Sequence, residues 1–167
     1  TITGNAAGDV LEDGDVLTCV YTNTRQTGSI ELKKVWEGTP GETTLKIGES
    51  AGGSEVDSET VTTDGTTGVN EVDTGTYYVS ETDPGDYDTD LYCYDATGAE
   101  VVPGTDDSLV IEDGDVLTCV YTNTRQTGLV TFMKVVDGGT ADPSEWTFDV
   151  GGPETANDIP HSATETL

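Results

Sequence analysis

The chain of 167 residues carries 33 acidic side chains against six lysines and arginines, which gives a formal net charge of −27. So few cations exclude nucleic acid as a partner and disfavour an anionic membrane surface, because both are bound through clustered lysine and arginine. No apolar run approaches the roughly 20 residues of a membrane span. An acidic sequence rich in threonine, glycine and serine suits a solvated extracellular protein, either at a cell surface or in a secreted filament.

A stretch of seventeen residues occurs twice. EDGDVLTCVYTNTRQTG fills Glu12–Gly28 and returns unchanged 100 residues later as Glu112–Gly128. A period this long indicates one domain per copy. We therefore expect residues 1–28 to be the C-terminal part of a preceding repeat, 29–128 a complete repeat, and 129–167 the N-terminal part of a following repeat, within a longer polypeptide. LVTFMKVVDGG at the start of the last part can be aligned with SIELKKVWEG at the start of the complete repeat.

Strand patterns dominate the complete repeat. Apolar residues alternate with threonine, serine and glutamate, as is typical of half-buried strands, at Ile30/Leu32, Tyr77/Val79 and Leu117/Cys119/Tyr121. Turn signals rich in proline, glycine and aspartate separate the strands, and no segment has sustained helical periodicity. We predict an all-β fold of tandem immunoglobulin-like or prealbumin-like antiparallel β-sandwich domains. The short connection Arg125–Gly128 predicts an extended, semi-rigid array of repeats.

The sequence Asp13-Gly14-Asp15 and its copy Asp113-Gly114-Asp115 are similar to part of a calcium loop. The complete pattern of alternating aspartates followed by a closing glutamate is absent. A hairpin turn with glycine at a positive-φ position accounts better for both copies. We therefore predict no metal site and no cofactor.

The three cysteines follow the repeat. Cys19 and Cys119 occupy the same repeat position, so the complete repeat holds two cysteines, Cys93 and Cys119. An even number per repeat in an acidic, threonine-rich array favours an internal Cys93–Cys119 disulfide. Cys19 would then be unpaired within this sequence, its partner lying further upstream. The alternative is a pair of reduced, buried thiols; zinc is not expected, since there is no CxxC motif and a single histidine, His161.

Three motifs carry a family resemblance. KKVWEG (33–38), GTYYVSETDPGDY (75–87) and VYTNT (120–124) resemble Cna protein B-type and SpaA-like prealbumin-fold modules, which build the stalks of bacterial surface adhesins and pilins. The resemblance covers 29–128 and also 129–150. It implies that Lys34 on the first strand bonds to Asn123 on the last strand, and that Glu81 on a middle strand catalyses this isopeptide cross-link.

Strand alternation gives a separate interpretation of the same residues. Even-numbered positions of the first strand share one face, which carries Ile30, Leu32 and Trp36 and therefore points inward together with Lys34. Lys33 points outward. The same rule directs Glu81 and Asn123 inward, with the apolar residues two and four positions before each.

Three inward polar side chains must find partners in the core. Burial favours the neutral, nucleophilic amine of a lysine, and a buried protonated carboxyl can polarise a carboxamide and transfer protons. Lys34 would then attack Asn123 and release ammonia in a single turnover. Two alternatives stay open: a noncovalent Lys34–Glu81 ion pair beside a hydrogen-bonded Asn123, and an incorrect inward assignment.

The leading functional hypothesis is a structural repeat of an extracellular stalk, filament or adhesin, whose partners are neighbouring repeats and further copies in a self-assembled filament. The alternative is an adhesin module that binds a surface polymer or glycan through an exposed aromatic patch, to which five tyrosines could contribute: Tyr77, Tyr78, Tyr87, Tyr92 and Tyr94. An enzyme that turns over a substrate is not expected, because His161 has no serine or cysteine partner in a catalytic arrangement.

Overall fold

The computed structural model describes residues 13–14, 16, 18, 20–152 and 155–166. These residues form thirteen strands and no α-helix, with one short 3₁₀ turn at Pro143–Glu145. In chain order the strands are β1 (Thr27–Glu37), β2 (Thr43–Gly48), β3 (Asp57–Val61), β4 (Gly65–Asp73), β5 (Gly75–Glu81), β6 (Tyr87–Asp95), β7 (Glu100–Val101), β8 (Ser108–Ile111), β9 (Val116–Arg125), β10 (Leu129–Thr131), β11 (Thr147–Val150), β12 (Ala156–Pro160) and β13 (Thr164–Thr166).

Strands β1 to β9 form two sheets around one core. The five-stranded sheet has the order β4-β1-β9-β6-β7, and the four-stranded sheet has the order β3-β2-β5-β8. Alternate residues of both sheets face inward and exclude water, which stabilises the fold by roughly 1.5–3 kcal/mol for each large apolar side chain. The sequence-based prediction of an all-β fold built from antiparallel sheets is confirmed. The core consists of Ile30, Leu32, Leu45, Ile47, Val61, Val72, Tyr77, Val79, Cys93, Leu109, Ile111, Leu117, Cys119 and Tyr121.

The first and last strands of this sandwich, β1 and β9, lie side by side and run parallel. Every other strand pair in the two sheets is antiparallel. Register pairs Ser29 with Val116 at one end of the ladder and Glu37 with Thr124 at the other. The chain therefore enters the sandwich at one end of this strand pair and leaves it at the opposite end.

The loop that contains Asp113 and Gly114 joins the two sheets. Gly114 has a φ of 84°, in the left-handed region that glycine adopts without a steric penalty, so the expected positive-φ turn is present. The predicted hairpin is not, because β8 before the loop and β9 after it belong to different sheets. Alternating hydrophobicity identifies both strands but does not say which sheet each one joins.

Residues beyond β9 form two small antiparallel sheets, one of β10 with β13 and one of β11 with β12. The rings of Phe132 and Phe148 lie 5.3 Å apart between their centroids, and Lys134 lies over the ring of Trp146. The segment that aligns with the start of the complete repeat contributes only the three residues of β10 to a sheet. Within the described part of the chain, no helix has the length and apolar character needed to cross a membrane.

Candidate functional site

Lys34 lies in the middle of β1 with its side chain inside the sandwich. Its residue exposure is 1%, and it shares the inward face with Ile30, Leu32 and Trp36, as strand alternation predicts. The amine donates a hydrogen bond of 3.3 Å to the main-chain oxygen of Tyr121 on β9. It also lies 4.5 Å from the centroid of the Trp36 ring, an arrangement that favours a cation or a polarised N–H over the ring.

Burial lowers the pKa of Lys34 below its usual value, because the charged form loses its hydration. The nearby carboxylates of Glu81 and Asp64 oppose this shift and do not reverse it. The lowered pKa increases the fraction of neutral amine, the form that has a free lone pair for nucleophilic attack.

Glu81 approaches Lys34 from the opposite sheet. It ends β5, where it pairs with Leu45 of β2, and its side chain is only 6% exposed. One carboxylate oxygen, Oε2, lies 3.4 Å from the Lys34 amine nitrogen. The other, Oε1, accepts a hydrogen bond of 3.3 Å from the hydroxyl of Thr89 on β6, which orients the carboxylate with Oε2 toward Lys34.

Asn123 lies on β9 and is completely buried. It pairs with Trp36 of β1 on one side and with Thr89 of β6 on the other. Neither the oxygen nor the nitrogen of its carboxamide has a hydrogen-bond partner. Leaving a buried polar group unsatisfied costs roughly 1–3 kcal/mol, so a completely buried, unsatisfied carboxamide requires an explanation.

Among the described residues, the buried side-chain nitrogen and oxygen atoms without a hydrogen-bond partner belong to three residues. They are Trp36 Nε1, Glu81 Oε2, Asn123 Nδ2 and Asn123 Oδ1. Glu81 Oε2 is close enough to Lys34 for an ion pair, yet its orientation does not meet hydrogen-bond geometry. Lys34 and Glu81 therefore form a buried ion pair, and Asn123 lies two register positions further along on the adjacent strand with its carboxamide unsatisfied.

Tyr121 and Asp107 contact each other next to Glu81, a contact that the sequence pattern did not predict. The Tyr121 hydroxyl lies 3.3 Å from the main-chain oxygen of Val79 and 3.4 Å from the Asp107 carboxylate. Burial, together with the negative charges of Asp107 and Glu81, raises the pKa of Tyr121 above its usual value. A cleft of about 270 Å³, lined by Glu81, Asp107 and Tyr121 among others, reaches this contact from outside. Thr89 was also missed, because its contact depends on strand register, which no local pattern specifies.

A disulfide joins Cys93 on β6 to Cys119 on β9. The two residues are directly paired across the antiparallel ladder, and both are buried. This agrees with the pairing expected from the cysteine count per repeat. Cys19, expected to be unpaired, lies outside the described residues.

The tyrosines considered for ligand binding do not form a continuous exposed surface. Tyr77 and Tyr87 are buried, Tyr78 and Tyr94 are half-buried, and Tyr92 is 44% exposed. The rings of Tyr92 and Tyr94 lie 6.0 Å apart and form one isolated pair on the outer face of β6.

The aspartates of the loop at 112–115 are used within the fold. Asp113 Oδ1 accepts from the Thr27 amide at 3.3 Å, and Asp115 Oδ2 accepts from the Glu112 amide at 2.8 Å. In the part of the chain that the structure covers, no three histidine, cysteine, aspartate or glutamate side chains are grouped as metal ligands. His161 lies in the turn after β12, where its Nδ1 accepts from the Lys134 amide.

Comparison with known proteins gives distant structural similarities. No family model and no curated protein matches the chain. Among solved structures, the chain is similar to the major pilin protein T3.2 of Streptococcus pyogenes, with 19% identity and a TM-score of 0.38. It is also similar to the major pilin protein T-13 of the same organism, with 17% identity and a TM-score of 0.35. Each match covers 60% of this chain and 46% of the pilin chain, so the sequence spans about half the length of the pilins it matches.

Proposed function

We propose that the sandwich of β1–β9 is a structural module of an extracellular stalk or filament, and that an isopeptide bond between Lys34 and Asn123 closes it. The observation that carries the proposal is the buried carboxamide of Asn123, unsatisfied at both polar atoms, on the strand adjacent to a buried lysine. The resemblance of KKVWEG, GTYYVSETDPGDY and VYTNT to isopeptide-forming stalk modules supports the same assignment.

The reaction converts an amine and a carboxamide into a new amide and ammonia. The neutral Lys34 Nζ attacks Cγ of Asn123, so that an N–C bond forms and the carboxamide becomes tetrahedral. Glu81 accepts one proton from the attacking nitrogen and delivers it to Nδ2. The Cγ–Nδ2 bond then breaks and ammonia leaves, for which the cleft beside Glu81 offers a route. The carboxylate of Glu81 is regenerated, and the product occupies the site, so the reaction occurs once.

The position of this cross-link suits a module that carries tension. Because β1 and β9 are parallel, pulling on the two chain ends loads their shared ladder lengthwise. An amide between Lys34 and Asn123 would pass the force from the first part of β1 directly into the end of β9. Residues 35–122 would then carry no load, and the sandwich could not be unravelled without breaking a covalent bond.

The disulfide between Cys93 and Cys119 lies off this path, since both cysteines fall within 35–122. We assign it a different role, the stabilisation of the β6–β9 pair against unfolding. A disulfide also fits an oxidising, extracellular location. The repeated EDGDVLTCVYTNTRQTG supports modules arranged in series, since an extended spacer requires copies of one unit.

Intact mass spectrometry of the denatured chain tests the proposal. After full reduction of the disulfide, we expect a mass lower than the sequence mass by one ammonia. Proteolysis should then recover a branched peptide that joins the segments containing Lys34 and Asn123. A reduced chain at its full sequence mass would refute the cross-link.

Asn123→Asp provides a matched variant. An aspartate at this position would lose water rather than ammonia on forming the same amide, so the mass deficit should change by the difference between these two molecules. Asn123→Ala should show no deficit. If Asn123→Ala keeps the deficit of one ammonia, the leaving group comes from another residue.

A further inference from the structure

Both arginines of the sequence lie in the two copies of RQTG, at Arg25 and Arg125. The first copy ends with the first two residues of β1, and the second copy begins with the last residue of β9, so the two copies contact opposite ends of one sandwich. Each copy therefore shows one half of a junction between consecutive repeats. Because the copies lie within seventeen identical residues, the contacts of one can be transferred to the other.

The second copy shows how RQTG holds the repeat before it. The Arg125 guanidinium lies 5.2 Å from the ring centroid of Tyr87, and its Nη1 donates to the Tyr87 hydroxyl at 3.2 Å. The Gln126 amide donates to the main-chain oxygen of Asp86 at 3.0 Å. Its side-chain Nε2 donates to the Asp88 carboxylate at 2.6 Å.

The first copy shows how RQTG holds the repeat after it. Nη2 of Arg25 forms an ion pair with the carboxylate of Asp73 at the end of β4. The main-chain oxygen of Gln26 accepts a hydrogen bond of 3.2 Å from the Thr74 amide. Arg25 and Gln26 therefore bind the following repeat through atoms other than those with which Arg125 and Gln126 bind the preceding repeat.

The last two residues of the first copy attach to the loop between β8 and β9. Thr27 donates through its amide to the Asp113 carboxylate at 3.3 Å, and its main-chain oxygen accepts from the Gly114 amide at 2.8 Å. Gly28 packs so closely that an added Cβ would lie 2.5 Å from a methyl group of Ile111. Glycine is therefore required at this position of the junction.

The two sets of contacts are compatible in a single linker. The arginine uses Nη1 and the face of its guanidinium toward the preceding repeat, and Nη2 toward the following one. The glutamine uses its amide and Nε2 toward the preceding repeat and its main-chain oxygen toward the following one. The contacts named here use different atoms on the two sides. A planar guanidinium carries five donors in a rigid fork and can serve both sides at once, whereas the ammonium of lysine is a compact point charge.

We propose that RQTG is a two-sided clasp that fixes the orientation of each repeat relative to the next, its partner being a second copy of the same repeat in series. The inference rests on the proposed arrangement of modules in a stalk and adds the contact that makes the stalk stiff. The arginine also places a cation between two strongly acidic repeats, which would otherwise repel each other.

Limited proteolysis tests the clasp in a chain whose residues 29–128 are duplicated in place. This chain contains three copies of RQTG, of which the middle one alone has a complete repeat on both sides. Trypsin cleaves after arginine, and seven residues around each site, TNTRQTG, are identical, so differences in rate report structure. We expect the middle site to be cleaved several-fold more slowly than either outer site. Equal rates at the three sites overturn the clasp.

Asp73→Asn in one repeat at a time provides the matched pair of variants. In the second repeat the change should accelerate cleavage at the middle site by about two- to fivefold, the range expected for one exposed ion pair. In the first repeat it should leave the middle site unchanged. An identical response at the middle site to both variants contradicts the assignment.

Intact mass of the same duplicated chain separates this inference from the proposed function. Loss of one ammonia per complete repeat together with equal tryptic rates would refute the clasp and leave the cross-link standing. A protected middle site without ammonia loss would refute the cross-link and leave the clasp standing.

Discussion

Lys34 and Asn123 lie on the same inward face of two adjacent parallel strands, two residues apart in register. Lys34 pairs with Tyr121, and Asn123 pairs with Trp36, so the two side chains are diagonal neighbours on one surface. Diagonal neighbours in a sheet are separated by roughly 7–8 Å, a distance that a long side chain can span. Glu81 approaches Lys34 from the facing sheet, so the contact between the amine and the carboxylate requires both sheets to be assembled.

Glu81→Gln should abolish the loss of ammonia. The substitution keeps the size of the side chain but removes the group that accepts and returns the proton. Intact mass after reduction is expected to equal the full sequence mass of the variant. Glu59→Gln is the control, because Glu59 pairs with the same residue, Leu45, from the other side and is exposed; this variant should keep the deficit. A deficit in Glu81→Gln would show that another group transfers the proton.

Single-molecule stretching should separate the roles of the two cross-links. With the amide in place, the sandwich is expected to give no unfolding step, because the force bypasses residues 35–122. In Glu81→Gln the unit should extend by roughly 200 Å when it unfolds with its disulfide intact, at about 3.5 Å per released residue.

Reduction adds a second test to the same measurement. In Glu81→Gln it should lengthen the step by roughly 90 Å, the span of the residues between Cys93 and Cys119. In the unsubstituted chain reduction should still give no step. A full-length step from the unsubstituted chain contradicts the proposed load path, even if the amide is present in part of the sample.

Much of this site could be predicted from local alternation. The pattern of β1 assigns Lys34 to the face of Ile30 and Leu32, and the structure buries it there. Asn123 is likewise buried on the face shared with Tyr121. Alternation is reliable here because side chains of a strand have a strict period of two and one face of each sheet covers the core.

The remaining features depend on contacts between segments that are distant in sequence. The parallel pairing of β1 with β9 requires two strands about 90 residues apart to become neighbours, and nothing within either strand specifies its partner. Thr89 could not be assigned to Glu81 for the same reason. The loop at Asp113 was expected to close a hairpin, since a local turn signal cannot tell whether the flanking strands pair or separate into two sheets.

Removal of the disulfide should lower stability without affecting the amide. Replacing Cys93 and Cys119 by alanine in the Glu81→Gln background is expected to reduce the free energy of unfolding by about 3–4 kcal/mol, the entropy of closing a loop of this length in the unfolded chain. Denaturant titration measures the change. The same pair of substitutions in the unsubstituted background should retain the loss of ammonia. Loss of the deficit there would mean that the disulfide is needed to assemble the site.

The lowered pKa of Lys34 predicts a pH dependence of stability that appears only when the amide is absent. In Asn123→Ala, Lys34 remains a titratable amine, and its pKa in the folded protein lies below the value of 10.5 in the unfolded chain. Between these two values the unfolded chain binds more protons, so the free energy of unfolding should rise with pH, by at most about 1.4 kcal/mol per pH unit.

Ionisation of Tyr121 at higher pH lowers the free energy of unfolding, which is opposite to the effect of Lys34. Its pKa is raised by folding, so the folded protein binds more protons than the unfolded chain above pH 10.0, and stability falls there as pH rises. Denaturant titrations below pH 10 avoid the ionisation of Tyr121. This ionisation is in any case common to the unsubstituted chain and Asn123→Ala. The proposed amide would leave Lys34 of the unsubstituted chain without a titratable nitrogen, so this chain should lack the rise that Asn123→Ala shows. Parallel pH profiles in the two proteins would indicate that Lys34 is a free amine in both, and the cross-link would be ruled out by a measurement that does not depend on mass.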